Sequence, residues 1–318
     1  MKKSFKLGFL VFAVSLCSCS SLGMSLFLAF DPPDKGLSLT RVETGPGEFA
    51  CGYWFPRSKA HERLLVYLPG SGSGSALGHK EGGRWKQLAD GWIFKQKFDK
   101  GFDLFIADKA NVLPGMDASK DEKFLRSYTL EGRVAAATAS IQAFLAEHPY
   151  REVYLLGASE GATIAARVYL ALRGRVDFRK VAIISGNSLS QAQEFEILAA
   201  KDGLKMPGDY RAGLNSLKEE YPKIQADPDS ISKWWFGHPF RRWSSFLPYR
   251  ALDDQLKLDV PLYVYHGRMD IATPVEGSRA LAAAFAAAGK RNLLYVEDDG
   301  GHSGFMARLN EVAAWFRD

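Results

Sequence analysis

The sequence predicts an α/β protein: a mostly parallel central sheet flanked by helices, with an inserted helical cap. Three observations predict it. Short runs rich in β-branched, Leu and aromatic residues alternate with helical stretches, the pattern of strand–helix–strand units. Several of these runs are almost unbroken in apolar character, as strands buried on both faces are. Residues 187–256 contain no such run although strand-like segments stand on either side, and the interval is too long for a plain loop.

The composition agrees. The chain has 318 residues, 47% hydrophobic and 24% charged, which suits a folded body with a sizeable core and excludes long disorder, collagen repeats and coiled coils. The net charge is only +5, and Lys2, Lys3 and Lys6 supply much of it, so no nucleic-acid partner is expected. Cys17 and Cys19 lie near the start and Cys51 alone in the body, so the body has no disulfide framework.

In chain order, residues 1–6 are basic and 7–16 apolar, the pattern of an export signal over 1–18. Leu16-Cys17-Ser18-Cys19 resembles a bacterial lipobox, which implies lipidation of Cys19 and a membrane-anchored lipoprotein at the periplasmic side or the outer membrane. Residues 7–30 carry no charge, so an uncleaved anchor reaching about residue 30 is also open, as is a cleaved signal and free secretion. All three export the body, residues 37–318.

Within the body the expected strands are 37–43, 49–55, 63–68, 103–107, 153–156, 181–185, 262–266 and 292–297. The expected helices are 130–147, 160–172, 275–288 and 304–316, the third stopped by Gly289. Between a strand and a helix stands Gly157-Ala158-Ser159-Glu160-Gly161, a G-x-S-x-G sequence in the strand–turn–helix setting of a nucleophile elbow. Such a turn is sharp, so side chains two residues to either side of Ser159 would clash.

On these residues the chain resembles the α/β-hydrolases from about residue 63 onward, the cap excepted. The resemblance implies a nucleophile–acid–histidine order and the triad Ser159, Asp270 and His302. His61, His79 and His148 precede the serine, His238 lies in the cap, and His266 ends a strand where a packed structural role is expected. His302 follows the last strand and Gly300-Gly301, the family's position for the base. The stretch from His266 to Pro274 resembles the family's H-G-x-x-D-x-x-x-P turn and puts Asp270 in the acid's place, while Asp298 and Asp299 read as solvated loop charges. For the oxyanion hole the resemblance implies the Glu160 amide and one from Pro69-Gly70-Ser71-Gly72-Ser73-Gly74-Ser75, with Ser71 first and Gly72 next.

The cap carries an aromatic–basic run from Trp234 to Trp243. It can simply pack the cap; alternatively Trp234 and Trp235 wall an apolar substrate pocket and Arg241 or Arg242 meets an acidic group. No phosphate-binding glycine motif or metal-ligand spacing occurs, so no cofactor and no metal are expected. The expected activity is hydrolysis of a carboxylic ester through an acyl-enzyme, the partner being a small acyl ester or a short peptide. A peptidase of prolyl-oligopeptidase or acyl-aminoacyl type, a thioesterase, an acyltransferase and a non-catalytic binding protein stand as alternatives.

Overall fold

A computed structural model describes residues 36–57, 59–82 and 84–318. Its centre is an eight-stranded sheet. The strands are β1 (Ser38–Gly45), β2 (Glu48–Trp54), β3 (Arg63–Leu68), β6 (Asp103–Ala107), β7 (Glu152–Ala158), β8 (Phe178–Ile184), β11 (Leu262–Gly267) and β12 (Leu293–Asp298), in the order β1-β2-β6-β3-β7-β8-β11-β12. The β1–β2 and β2–β6 pairs are antiparallel, and every pairing from β6 to β12 is parallel. All eight expected strands lie in this sheet.

Alternation along the strands divides the core. Leu64, Val66 and Leu68 of β3 join one cluster with α3 (Leu130–Glu147), α4 (Glu160–Leu172) and α10 (Val275–Ala287), through Ile141, Phe144, Ile164, Leu281 and Phe285. Tyr67 points the other way and stacks on Phe94 of α1 (Asp90–Phe98); Phe98 in turn contacts Phe316 of α11 (Leu309–Arg317). Helices therefore cover both faces, which a sheet of continuous apolar strands requires. Thr129 caps α3 by accepting from the Gly132 amide at 3.0 Å.

Parallel register decides where the loops go. Leu68 pairs with Gly157, Ala158 with Ile184, Ile184 with Tyr265, and Gly267 with Asp298. The segments after β3, β7, β8, β11 and β12 thus emerge side by side at the carboxyl edge, where sheets of this kind place their sites.

Residues 187–256 hold α5 (Gln191–Ala200), α6 (Gly208–Asn215), α7 (Leu217–Ala226), the short hairpin β9–β10 (Trp234–Trp235, His238–Pro239), α8 (Phe240–Phe246) and α9 (Leu252–Gln255). They have their own apolar cluster, including Phe195, Leu214, Ile224, Trp235 and Trp243. A reciprocal Ser190/Gln193 capping box starts α5.

The structure adds elements that the pattern did not suggest: a hairpin β4–β5 (Gly78–Glu81, Arg84–Leu88), α1 itself, and α2 (Glu122–Ser127). The last of these is one short turn of helix, held by Asp121 accepting from the Phe124 amide at 2.8 Å rather than by any apolar period. The helix expected over 304–316 is a 3₁₀ turn, Gly304–Arg308, followed by α11. The signal over 1–18, Cys19 and the anchor to about residue 30 lie outside the described residues. Among those described, no helix is long and apolar enough to cross a membrane.

Candidate active site

Ser159 sits between β7 and α4 with φ 55° and ψ −122°, a strained conformation for a residue with a side chain. Its neighbours make the turn possible. A Cβ on Gly157 would lie 2.3 Å from the Gly161 carbonyl oxygen, and one on Gly161 would lie 1.9 Å from the Leu68 carbonyl oxygen. No side chain fits either place, which is the physical content of G-x-S-x-G here. The turn lifts the hydroxyl above the carboxyl edge at the N-terminus of α4, where developing negative charge is favoured.

The structure brings His302 and Asp270 to it. His302 Nε2 lies 3.1 Å from Ser159 Oγ, and His302 Nδ1 lies 2.8 Å from Asp270 Oδ2. Because Nδ1 faces a carboxylate, it carries the proton and Nε2 is left to accept from the serine. Asp270 is fully buried and accepts from the amides of Ala272 and Thr273 at 2.8 and 3.0 Å and from Thr273 Oγ1 at 2.9 Å. Burial alone would push the Asp270 carboxyl up. The opposing charge of His302 and hydrogen bonds from His266 and His302 outweigh it and hold the group well below the carboxylate range. Burial lowers His302, but the Asp270 charge and hydrogen bond prevail and raise it above 6.5. His266 is buried beneath: Nε2 donates to the Thr273 carbonyl at 2.9 Å and Nδ1 accepts from Ser278 at 2.7 Å, so it pins the Asp270 loop. Asp298 and Asp299 do not approach His302; they pair with Tyr265, Arg308 and Arg268.

No protein-family model matches the sequence, and no curated protein sequence matches it. Solved structures do. Est1E from Butyrivibrio proteoclasticus is similar over 88% of this chain and 97% of its own, at 16% identity and TM-score 0.54. The Pyrococcus furiosus esterase Pf2001 is similar over 91% of this chain and 93% of its own, at 12% identity and TM-score 0.55. The Pyrococcus horikoshii acylaminoacyl peptidase is similar over 88% of this chain and 41% of its own, at 14% identity and TM-score 0.56. The chain has the α/β-hydrolase fold.

In this α/β-hydrolase scaffold the glycine-rich segment after β3 is held from two sides. Ser73 Oγ donates to Asp117 Oδ1 at 2.7 Å, Ala118 N donates to the Ser73 carbonyl at 3.0 Å, and Arg133 Nη2 donates to the Pro69 carbonyl at 2.7 Å. The Gly72 amide donates to the Tyr128 hydroxyl at 2.8 Å, which removes it from the expected oxyanion donors. The amides of Ser71 and Glu160 have no partner among the described residues, and both residues line the pocket beside Ser159.

The Glu160 carboxylate organises this region. Oε1 accepts from Arg133 Nε at 2.9 Å; Oε2 accepts from Arg242 Nε and Nη2 at 3.1 and 2.8 Å and from the Tyr128 hydroxyl at 3.0 Å. Burial pushes the group up, but Arg242 and Arg133 prevail and hold it at about 2. One side chain next to Ser159 thus ties together the segment after β3, helix α3 and the cap.

The pocket over Ser159 has a volume of about 200 Å³ and is walled on the cap side by Phe195, Tyr210, Phe236, His238, Arg242 and Trp243, with Asn187 and Gln191. Trp234, Trp235 and Arg241 do not line it. Trp234 is 47% exposed. Trp235 is buried inside the cap and donates to Ser216 Oγ at 2.9 Å. Arg241 faces outward to Asp229 and the Arg126 carbonyl. The correction from Arg241 to Arg242 is one of helical phase: α8 buries Arg242, Trp243 and Phe246, whereas Arg241 stands about 140–160° from Trp243 and Phe246. The sequence did carry one signal for the missed Arg133. It interrupts the apolar stripe of α3 formed by Leu130, Ala137, Ile141 and Phe144, where an arginine is buried only if paired.

Proposed function

We propose that this chain is a serine hydrolase that cleaves a carboxylic ester through Ser159, His302 and Asp270. The observation that carries the reading is the continuous hydrogen-bonded line from Ser159 Oγ to His302 Nε2 at 3.1 Å and from His302 Nδ1 to Asp270 Oδ2 at 2.8 Å. Its serine stands on a backbone strained in the way a nucleophile elbow needs.

In this reading His302 Nε2 takes the hydroxyl proton as Ser159 Oγ attacks the acyl carbonyl. Asp270 holds the imidazole in the Nδ1–H tautomer and stabilises its cation. The Ser71 and Glu160 amides donate to the oxyanion; such a donor is typically worth about 100- to 1000-fold in rate. The imidazolium returns its proton to the leaving alcohol. Water, activated by the same histidine, then attacks the acyl-enzyme and frees the serine.

The reading is tested by turnover of p-nitrophenyl esters of several chain lengths against aminoacyl p-nitroanilides. Ester turnover that Ser159→Ala abolishes supports it. Turnover of the anilides alone assigns a peptidase, and no turnover of either removes the enzyme reading. We also propose, from the sequence of residues 1–30, that the body is exported and anchored by lipid on Cys19. Release of a Cys19→Ser protein from membranes tests that part.

A further inference from the structure

The buried charges joined at Glu160 do not balance. Glu160 is one carboxylate against the two guanidinium groups of Arg133 and Arg242, and the three side chains are only 2–3% exposed. The nearest other titratable groups do not restore neutrality. Burial and Arg242 push His238 down to about 3, so it is uncharged, and the Asp270 carboxylate is engaged elsewhere, on His302 Nδ1, the Ala272 and Thr273 amides and Thr273 Oγ1. Glu194, pushed up to about 8 by burial, lies behind Asn187 and is occupied there by Asn187 Nδ2 and the Ser188 and Leu189 amides. Within the hydrogen-bonded Glu160 cluster itself one positive charge is left in excess, at the positive N-terminal end of α4.

The excess has a location. Arg242 uses Nε and Nη2 on Glu160, while Nη1 has only Gln191 Oε1, at 3.4 Å, beyond a normal hydrogen bond. Arg242 and Gln191 both line the pocket, and so does Tyr210, whose hydroxyl has no partner among the described residues. An arginine this deeply buried is costly unless every donor finds an acceptor. The ring faces of Trp243 and Phe246, 4.1 and 4.5 Å from its guanidinium carbon to the ring centres, attract the cation but leave Nη1 without a close acceptor.

Building on the serine hydrolase reading, we propose that the pocket takes an acyl group ending in a carboxylate, the mono-ester of a short dicarboxylic acid, with that carboxylate on Arg242 Nη1. The pocket's small volume suits a chain of a few carbons.

The test compares p-nitrophenyl mono-esters of succinate, glutarate and adipate with their half-amide analogues, which have the same length and no charge. The charged ester of at least one length should exceed its amide in kcat/KM by about tenfold or more, the effect of a hydrogen bond to a charged group. Arg242→Met, which leaves Glu160 paired one to one with Arg133, should shrink that preference to within about twofold. Half-amides turned over as well as or better than the charged esters at every length would overturn the inference while leaving the hydrolase reading intact. If no ester is turned over, the hydrolase reading fails by itself and binding decides the pocket. Calorimetric titration of Ser159→Ala protein with succinate and glutarate, against succinamide and glutaramide, should then show binding of a dianion alone. Equal binding, or none, would overturn it.

Discussion

The carboxyl edge of the sheet and the cap that covers it are built by different rules. At the edge, strand register does the placing: pairing of Leu68 with Gly157 and of Gly267 with Asp298 delivers Ser159, Asp270 and His302 to one spot from residues far apart in the chain. In the cap, helical phase and aromatic packing do it, and one step along α8 separates Arg242 in the pocket from Arg241 at the surface. The comparison teaches that a site made by strand ends can be read from motifs, whereas one made by helix faces depends on where each short helix begins.

The largest expected effect breaks the edge. Ser159→Ala should lower kcat for the best ester by about 10⁴-fold or more in a steady-state assay, with far-ultraviolet circular dichroism unchanged. Asp270→Asn should cost about 10⁴-fold as well, because the imidazole loses the partner that fixes its tautomer. The next effect couples edge and cap. Glu160→Gln strands Arg133 and Arg242 without their shared carboxylate, which should destabilise the fold by about 3–5 kcal/mol in urea denaturation. It should also lower kcat more than it changes KM, since the Tyr128 and Arg133 contacts position the segment after β3.

A smaller effect is read in pH. To take the serine proton as proposed His302 must be neutral, and Asp270 raises it, so the acid limb of kcat/KM should have its midpoint above 6.5 and activity should rise with pH through it. In Asp270→Asn the residual activity should show that limb moved down. The last test compares the two cap tryptophans, of which only one should matter. Trp235→Ala removes a buried ring and should cost about 3–5 kcal/mol of stability. Trp234→Ala touches a half-exposed ring and should stay within about 0.5 kcal/mol, with ester turnover unaltered.

What the sequence made legible follows the same division. All eight expected runs became strands, and the inner parallel ones stood out because strands buried on both faces have a composition unlike their surroundings. Ser159, Asp270 and His302 stood out because each occupies a turn of special sequence just past a strand. The Tyr128–Glu160–Arg133–Arg242 group was hidden. Its members come from a loop, an elbow and two helices, and only packing shows that their side chains converge. Gly72 was a plausible donor until Tyr128, more than fifty residues later in the chain, claimed its amide.

The role proposed for Ser159 admits the most direct measurement. After reaction with a fluorophosphonate, intact-mass and peptide-mapping mass spectrometry should find one adduct, on Ser159, and none in Ser159→Ala. An adduct on another residue, or an unmodified protein from which active ester turnover is nonetheless measured, would contradict the account.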